Sequence, residues 1–248
     1  MAMETGDAIF ARIRLMLGEA AIDAIARARV IVFGLGGVGG WCAESLVRTG
    51  IRRLTLVDPD IICVSNINRQ LMATSATVGR PKTEVLAERL REINPDVELD
   101  VRRRFYDAST AGEFDFSDFD YAIDAIDSLD SKVLLIRNAL SSPRTTLFSS
   151  MGAALRSDPF QIRKDEFRKV SGDRLARALR RRFRESGGMP ERRFVCVWSP
   201  EHRVPAVAPG AGESRVYGSL VHTTAVFGFA LASLVVEDVE HRVAGCSF

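Results

Sequence analysis

Arg29-Val30-Ile31-Val32-Phe33-Gly34-Leu35-Gly36-Gly37-Val38-Gly39 is the stretch that decides the fold. Its short apolar run, stopped by Gly34, reads as a buried strand. Gly40 to Thr49 follows with helical spacing and ends at Gly50, a helix stop. Leu54-Thr55-Leu56-Val57 is a second strand ending at Asp58, so the first 58 residues contain a βαβ unit of the parallel-sheet kind. Between strand and helix, Gly34-x-Gly36-x-x-Gly39 puts backbone N–H groups and the positive helix end where a phosphate can sit. Asp58, 19 residues beyond Gly39, is positioned for ribose hydroxyls. On these residues alone a nicotinamide or flavin site and an ATP site stay equally open, beside the plainer reading that the glycines only allow close packing.

Outward from that unit the alternation continues. Ile9 to Ala26 reads as one or two N-terminal helices. Pro81 opens a long helix with Leu86, Leu90 and Ile93 on one face, closed by Asn94-Pro95. Val97, Leu99 and Val101 alternate as a third strand. Tyr121 to Ile126 is a fourth, Ser131 to Leu140 a helix, and Thr145 to Ser149 another strand. Strands alternating with helices imply an α/β, Rossmann-like, doubly wound and mostly parallel sheet with helices on both faces. Ligands of such sheets sit beyond the carboxyl ends of the strands, where Asp58 and Asp127 both fall. After about Ala153 the pattern changes. Asp158 to Lys164 and Phe194 to Trp198 look like strands flanking a basic helix from Asp173 to Ser186. Val204 to Ser214 is a Pro/Gly-rich loop leading to an apolar C-terminal helix. The chain is therefore expected to be one domain over 1–248, with a nucleotide-binding core at about 28–153, a basic insertion at about 154–214 and a helix at about 215–242.

Composition is consistent with this. At 248 residues and 46% hydrophobic content the chain can bury one sizeable core. The segment from Ala8 to Leu17 is interrupted by Arg12 and Arg14 and does not read as a signal peptide, so a cytoplasmic location is expected. Cys42, Cys63, Cys196 and Cys246 form no Cys-x-x-Cys pair, which argues against zinc and disulfides; reduced thiols are expected. The net charge of +2 hides a local excess: Arg163 to Arg193 holds 12 basic and 5 acidic residues. Val216 to Val236 carries no charge over 21 residues, enough to span a bilayer, yet its Gly, Ser, His and Thr content favours a buried helix and no stable membrane span.

The next segment separates the nucleotide readings. Asp58-Pro59-Asp60 through Asn66-Ile67-Asn68-Arg69-Gln70, then Gly79-Arg80-Pro81-Lys82, resembles the ubiquitin-activating-enzyme-like (ThiF/MoeB-type) adenylating superfamily. The resemblance implies that ATP is bound by Gly34, Gly36, Gly37, Gly39, Asp58, Asp60, Asn66, Asn68, Arg69, Gln70, Lys82 and Asp127. Displacement at an α-phosphate builds negative charge that Arg69 and Lys82 can stabilise, a need no dehydrogenase has. In Ala122-Ile123-Asp124-Ala125-Ile126-Asp127-Ser128 the second aspartate matches the family position for magnesium with ATP, while Asp124 has a structural role as readily as a catalytic one. Ile9-Phe10-Ala11-Arg12 resembles the family's N-terminal helix, departing from it at Ile9. In the family its second arginine, here Arg12, reaches the ATP of a partner subunit, which implies a homodimer.

Within the superfamily, Gly36-Gly37-Val38-Gly39, the Asn66 to Gln70 variant, Ile123 to Ser128 and Ser199-Pro200-Glu201 look like the tRNA threonylcarbamoyladenosine dehydratases. That resemblance implies adenylation of a threonyl carboxylate on tRNA, ring closure and release of AMP, and leaves room for a sulfurtransferase partner. Arg174, Arg177, Arg181 and Arg184 fall on one face of the basic helix, with Leu175, Leu179 and Phe183 on another. Such a face suits tRNA phosphates, or simply solvent. Cys196 alternates with Val195 and Val197 inside a strand, where packing explains it as well as nucleophilic chemistry does. His202, His222 and His241 show no metal-ligand or triad spacing. Three alternatives stay open: an activator of a ubiquitin-like or sulfur-carrier protein C-terminus, an NAD-dependent oxidoreductase, and a module that binds ATP without turning it over.

Overall fold

The computed structural model describes residues 8–204, 206 and 217–245. Two short helices, α1 (Ala11–Leu17) and α2 (Glu19–Arg27), lead into β1 (Arg29–Phe33), the glycine turn and α3 (Gly39–Thr49). β2 (Arg53–Val57), α4 (Lys82–Ile93), β3 (Glu98–Arg102), β4 (Tyr121–Asp124), α5 (Leu129–Ser141) and β5 (Thr146–Ser150) complete the alternating part. β6 (Arg163–Glu166), α6 (Arg174–Glu185), β7 (Val195–Trp198) and α7 (Val221–Val243) follow.

The strands form one seven-stranded sheet in the order β3-β2-β1-β4-β5-β7-β6. All neighbours are parallel except β6, which runs antiparallel to β7 at the edge. β1 alternates as a strand covered on both faces must. Val30 and Val32 pack with α2, α3, α4 and α7. Ile31 and Phe33 pack with α5, α6 and an aromatic group of Tyr106, Phe114 and Phe116. Chain order reverses direction across the sheet between β1 and β4, the switch point where this architecture opens a crevice.

Two boundaries differ from expectation for identifiable reasons. β4 stops at Asp124 rather than Ile126, because the Asp124 carboxylate accepts Ile126 N at 3.2 Å and turns the chain out of the sheet. The strand expected over Asp158 to Lys164 begins only at Arg163: Asp158 caps a short 3₁₀ turn, Pro159–Gln161, by accepting Phe160 N at 2.9 Å. The basic segment also enters the sheet through β6 and β7.

α7 is the described helix long and apolar enough to cross a membrane. Phe227, Leu231, Ala232, Val235 and Val239 are instead buried against α2, α3 and the sheet, and Tyr121 donates its hydroxyl to Asp238 at 2.8 Å. Val216, Cys246 and most of the Pro/Gly-rich loop lie outside the described residues. Cys42 and Cys196 are buried free thiols and Cys63 is exposed.

Candidate active site

The carboxyl ends of β1, β2, β4 and β5 open into one cavity of about 800 Å³. Its floor is the glycine turn. Gly34 has φ +84°, and a Cβ there would meet the Ala125 carbonyl oxygen at 2.7 Å, so only glycine fits without displacing the chain after β4. Gly36 and Gly37 line the cavity beside it. Gly39 does not: it begins α3, and a Cβ would collide with the Gly34 carbonyl oxygen. It serves packing, by letting helix and turn close on each other.

Asp58, at the end of β2, is buried and lines the cavity. Its carboxylate accepts Leu35 N at 2.6 Å and Asp60 N at 2.9 Å, which fixes the side chain against the glycine turn. A carboxylate has about four acceptor positions, so this leaves capacity for a ligand hydroxyl. Burial pushes its pKa above the usual carboxylate range, against the pull of Lys82 and the two amides. Lys82 opens α4 almost fully buried, with Nζ 2.7 Å from Asp60 Oδ2 and 3.7 Å from Asp58 Oδ1. An ammonium thus stands inside the cavity between two carboxylates.

The Asn66 to Gln70 segment forms the opposite wall. Arg69 lines the cavity, its Nη1 donating to Ser65 O at 2.8 Å and Asn68 Oδ1 at 3.0 Å. Gln70 is buried and its Oε1 has no partner among the described residues. Asn66 also lines the cavity, although its Oδ1 accepts Cys63 N at 3.0 Å. Asn68 is not among the lining residues. Its amide donates to Ser219 O at 3.1 Å and ties this wall to the segment before α7.

Asp127 is exposed into the same cavity, three residues past the end of β4. Behind it lies an ion pair that takes no part in lining the cavity. Lys132, fully buried on α5, holds Asp124 Oδ2 at 2.8 Å and donates to the Ile126 carbonyl at 3.0 Å, while Ser149 donates to the same carboxylate at 2.6 Å. The turn that presents Asp127 is therefore fixed from beneath. Among the described residues no group of three or more His, Cys, Asp or Glu could hold a metal ion. A divalent cation at Asp127 would therefore have to bring phosphate oxygens and water as its other ligands, and one exposed carboxylate suits that arrangement.

Arg104, Arg156 and Arg203 line the cavity without having been singled out in the sequence, and Arg174, expected only on the basic helix face, and His202, given no role there, line it as well. The signal available was position, since Arg156 follows the carboxyl end of β5. Arg156 is buried and paired with Asp173 at 3.0 Å, and Asp173 in turn caps α6 by accepting Ala176 N at 2.8 Å. From this cap α6 runs away from the cavity. Arg174, Arg177, Arg181 and Arg184 are exposed along it, and Ala176, Leu179 and Phe183 are buried. Arg174 and Arg177 make no side-chain hydrogen bond or ion pair among the described residues. Glu201, after β7, clamps the loop that carries Arg156. It accepts Ser157 N at 2.7 Å, Ser157 Oγ at 2.7 Å and Asp158 N at 3.0 Å. Partial burial would raise its pKa, but these hydrogen bonds outweigh it and hold the carboxyl at about 2.

Besides Gly39 and Asn68, two further candidates do not line the cavity. Arg12 is exposed on α1 and is not among the residues that line the cavity of its own chain. Cys196 is fully buried in β7 and burial pushes its pKa well up, so the thiol is kept protonated and out of reach of a substrate.

Comparison with known proteins gives a consistent picture. The model of the ThiF family matches residues 10–237. The tRNA threonylcarbamoyladenosine dehydratase of Escherichia coli (strain K12) is 34% identical over 92% of each chain. That of Bacillus subtilis (strain 168) is 36% identical over 72% of this chain and 70% of its own. The crystal structure of the E. coli enzyme, TcdA, in complex with ATP superposes with a TM-score of 0.87 at 34% identity, covering 99% of both chains. E. coli MccB with ATP matches in fold, with a TM-score of 0.64 at 16% identity over 96% of this chain and 64% of that one.

Proposed function

Because the chain belongs to the ThiF family, we propose that it uses ATP to adenylate the threonyl carboxylate of tRNA threonylcarbamoyladenosine and then closes the ring. A carboxylate oxygen attacks the α-phosphorus and pyrophosphate leaves. The substrate's own carbamoyl group then attacks the activated carbonyl and AMP departs with the carboxylate oxygen. The second step needs no enzyme nucleophile, in keeping with the sealed thiol of Cys196.

In this reading the amides of Gly34 to Gly37 and the N-terminus of α3 hold phosphate, and Asp58 takes the ribose hydroxyls. Arg69 and Lys82 stabilise the charge that develops at the α-phosphate. Lys82 can do so while sharing its three donors with Asp60. Mg²⁺, when bound, would neutralise phosphate charge, and Asp127 would hold it. The whole chain acts as one adenylating unit in the cytoplasm. It works as a homodimer in which Arg12 completes the site of its partner, which agrees with its exposure on α1 and its absence from the lining of its own cavity.

The observation that carries the reading is the convergence of four strand ends and the start of a basic helix on one cavity. Incubation of threonylcarbamoyladenosine-bearing tRNA with the protein, ATP and Mg²⁺, followed by mass spectrometry of the nucleosides, is expected to show loss of one water from the modified nucleoside. It is also expected to show AMP in equal amount. An unchanged nucleoside with a ubiquitin-like C-terminus adenylated instead would move the protein to the other branch of the superfamily.

A further inference from the structure

Arg156 combines three features that a merely structural arginine does not need. Its side chain is 5% exposed, and Nη2 is used by Asp173 at 3.0 Å, with only a long contact of 3.4 Å from Nε to Gly152 O. Nη1 has no hydrogen bond among the described residues, and it is not among the sealed side-chain atoms that lack a partner. It therefore reaches open space, and the open space beside Arg156 is the cavity. Burying a guanidinium with a donor left over is unfavourable unless something accepts it.

The backbone around it is held against its own preference. Leu155 sits at φ +57°, a left-handed conformation that is unfavourable for a residue with a side chain. It is kept there by Leu155 N donating to Gly218 O at 3.0 Å, Thr223 Oγ1 donating to Arg156 O at 3.3 Å, and the Glu201 clamp on Ser157. Strain over-determined in this way marks a residue aimed at a task. Asp173, the partner of Arg156, is also the cap of α6, so the same carboxylate ties the guanidinium to the exposed arginine face.

We infer that Arg156 is the residue that receives the substrate's carboxylate in the cavity, and that through Asp173 it fixes this anchor relative to the helix that meets tRNA. The inference rests on the reaction proposed above. The free Nη1 edge offers directed donors to a planar anion, which orients one carboxylate oxygen toward the α-phosphate. A lysine supplies a point charge and would orient it less well.

The test uses threonylcarbamoyladenosine-bearing tRNA and the same tRNA with the threonyl carboxylate converted to its methyl ester. Wild-type protein is expected to bind the acid roughly 10- to 100-fold more tightly than the ester, the range of a hydrogen bond to a charged group. R156Q should bind both with the affinity that wild type shows for the ester, with ATP affinity unchanged, and R156K should recover part of the preference. Asp173 spends one carboxylate oxygen on the α6 cap and the other on Arg156, and an asparagine has only one acceptor, so D173N should keep the cap, lose the hold on Arg156 and retain a reduced preference for the acid that stays above that of R156Q. Undiminished preference in R156Q, no preference in wild type, or equal loss in D173N and R156Q would each overturn the assignment. If wild-type protein makes no cyclic nucleoside from the acid with ATP, the proposed reaction fails instead, whatever R156Q does.

Discussion

Lys132 has no exposure at all, and its ammonium is spent on Asp124 and on the carbonyl of Ile126, one residue before Asp127. Removing one partner of a buried ion pair strands the other charge, so K132M is expected to lose about 3–5 kcal/mol of stability. At this chain length that corresponds to a fall in Tm of roughly 10 °C, measurable by calorimetry. A Tm within about 2 °C of wild type would show that Asp124 is satisfied by Ser149 and Ile126 N alone. At this scale the sequence was legible where chemistry imposes a spacing. Gly34, Asp58 and Asp127 meet in one cavity because each follows a strand that the apolar pattern reveals, while Arg69 and Lys82 join them from the motif segment that the family resemblance picked out. Lys132 was not legible, since a buried lysine on an amphipathic helix looks the same in sequence as an exposed one. Arg156 was hidden for a related reason: its role depends on Asp173, 17 residues away, and no local period joins them.

Among the elements, α6 was the most legible of the last third. Its cap at Asp173, its arginine face and its stop before Gly187 are all local signals. The edge strand β6 was less so, because a capping aspartate followed by proline shortens what alternation alone would extend. Reversing Arg177 and Arg181 together to glutamate is expected to weaken tRNA binding while ATP affinity stays the same. Each lost phosphate contact should reduce the slope of log K against log salt by about 0.7–0.9. Binding measured over a range of salt concentrations checks this, and an unchanged slope would give the helix face to solvent. The loop of Arg156 makes its own prediction through Glu201, whose carboxyl is held at about 2 from an ordinary 4.5. A depressed carboxylate stabilises the fold fully above the unfolded value and loses that contribution as pH falls through the folded one. Acid unfolding of wild type should therefore show a loss of stability between about pH 4.5 and pH 2 that is smaller in E201Q. Equal losses in the two proteins would mean that Ser157 and Asp158 hold the loop without the charge.

At the scale of the molecule, alternation of strands and helices was enough to read a doubly wound sheet. Strand order was not, because the return of β7 between β5 and β6 is a long-range pairing. Nor does one chain show how the site is completed. Arg12 stands exposed on α1, with Leu15 89% and Met16 84% exposed on the same helix, and it does not line the cavity of its own chain. If Arg12 serves a partner's α-phosphate, R12A loses a fixed donor pair at the developing charge, which typically costs about 10²- to 10³-fold in rate. D127A should be nearly inactive for a different reason, loss of the proposed metal-holding carboxylate, and both variants should fold normally because both side chains are exposed. Mixing the two so that subunits exchange makes heterodimers in which one site carries both lesions and the other carries neither. Random exchange makes about half of the dimers mixed, each with one intact site of two, so activity should recover to roughly a quarter of wild type when sites act independently. Recovery should follow the rate at which heterodimers appear in native mass spectrometry. If they form and activity stays at the level of the separate variants, Arg12 does not act across the interface, and the composite site is wrong.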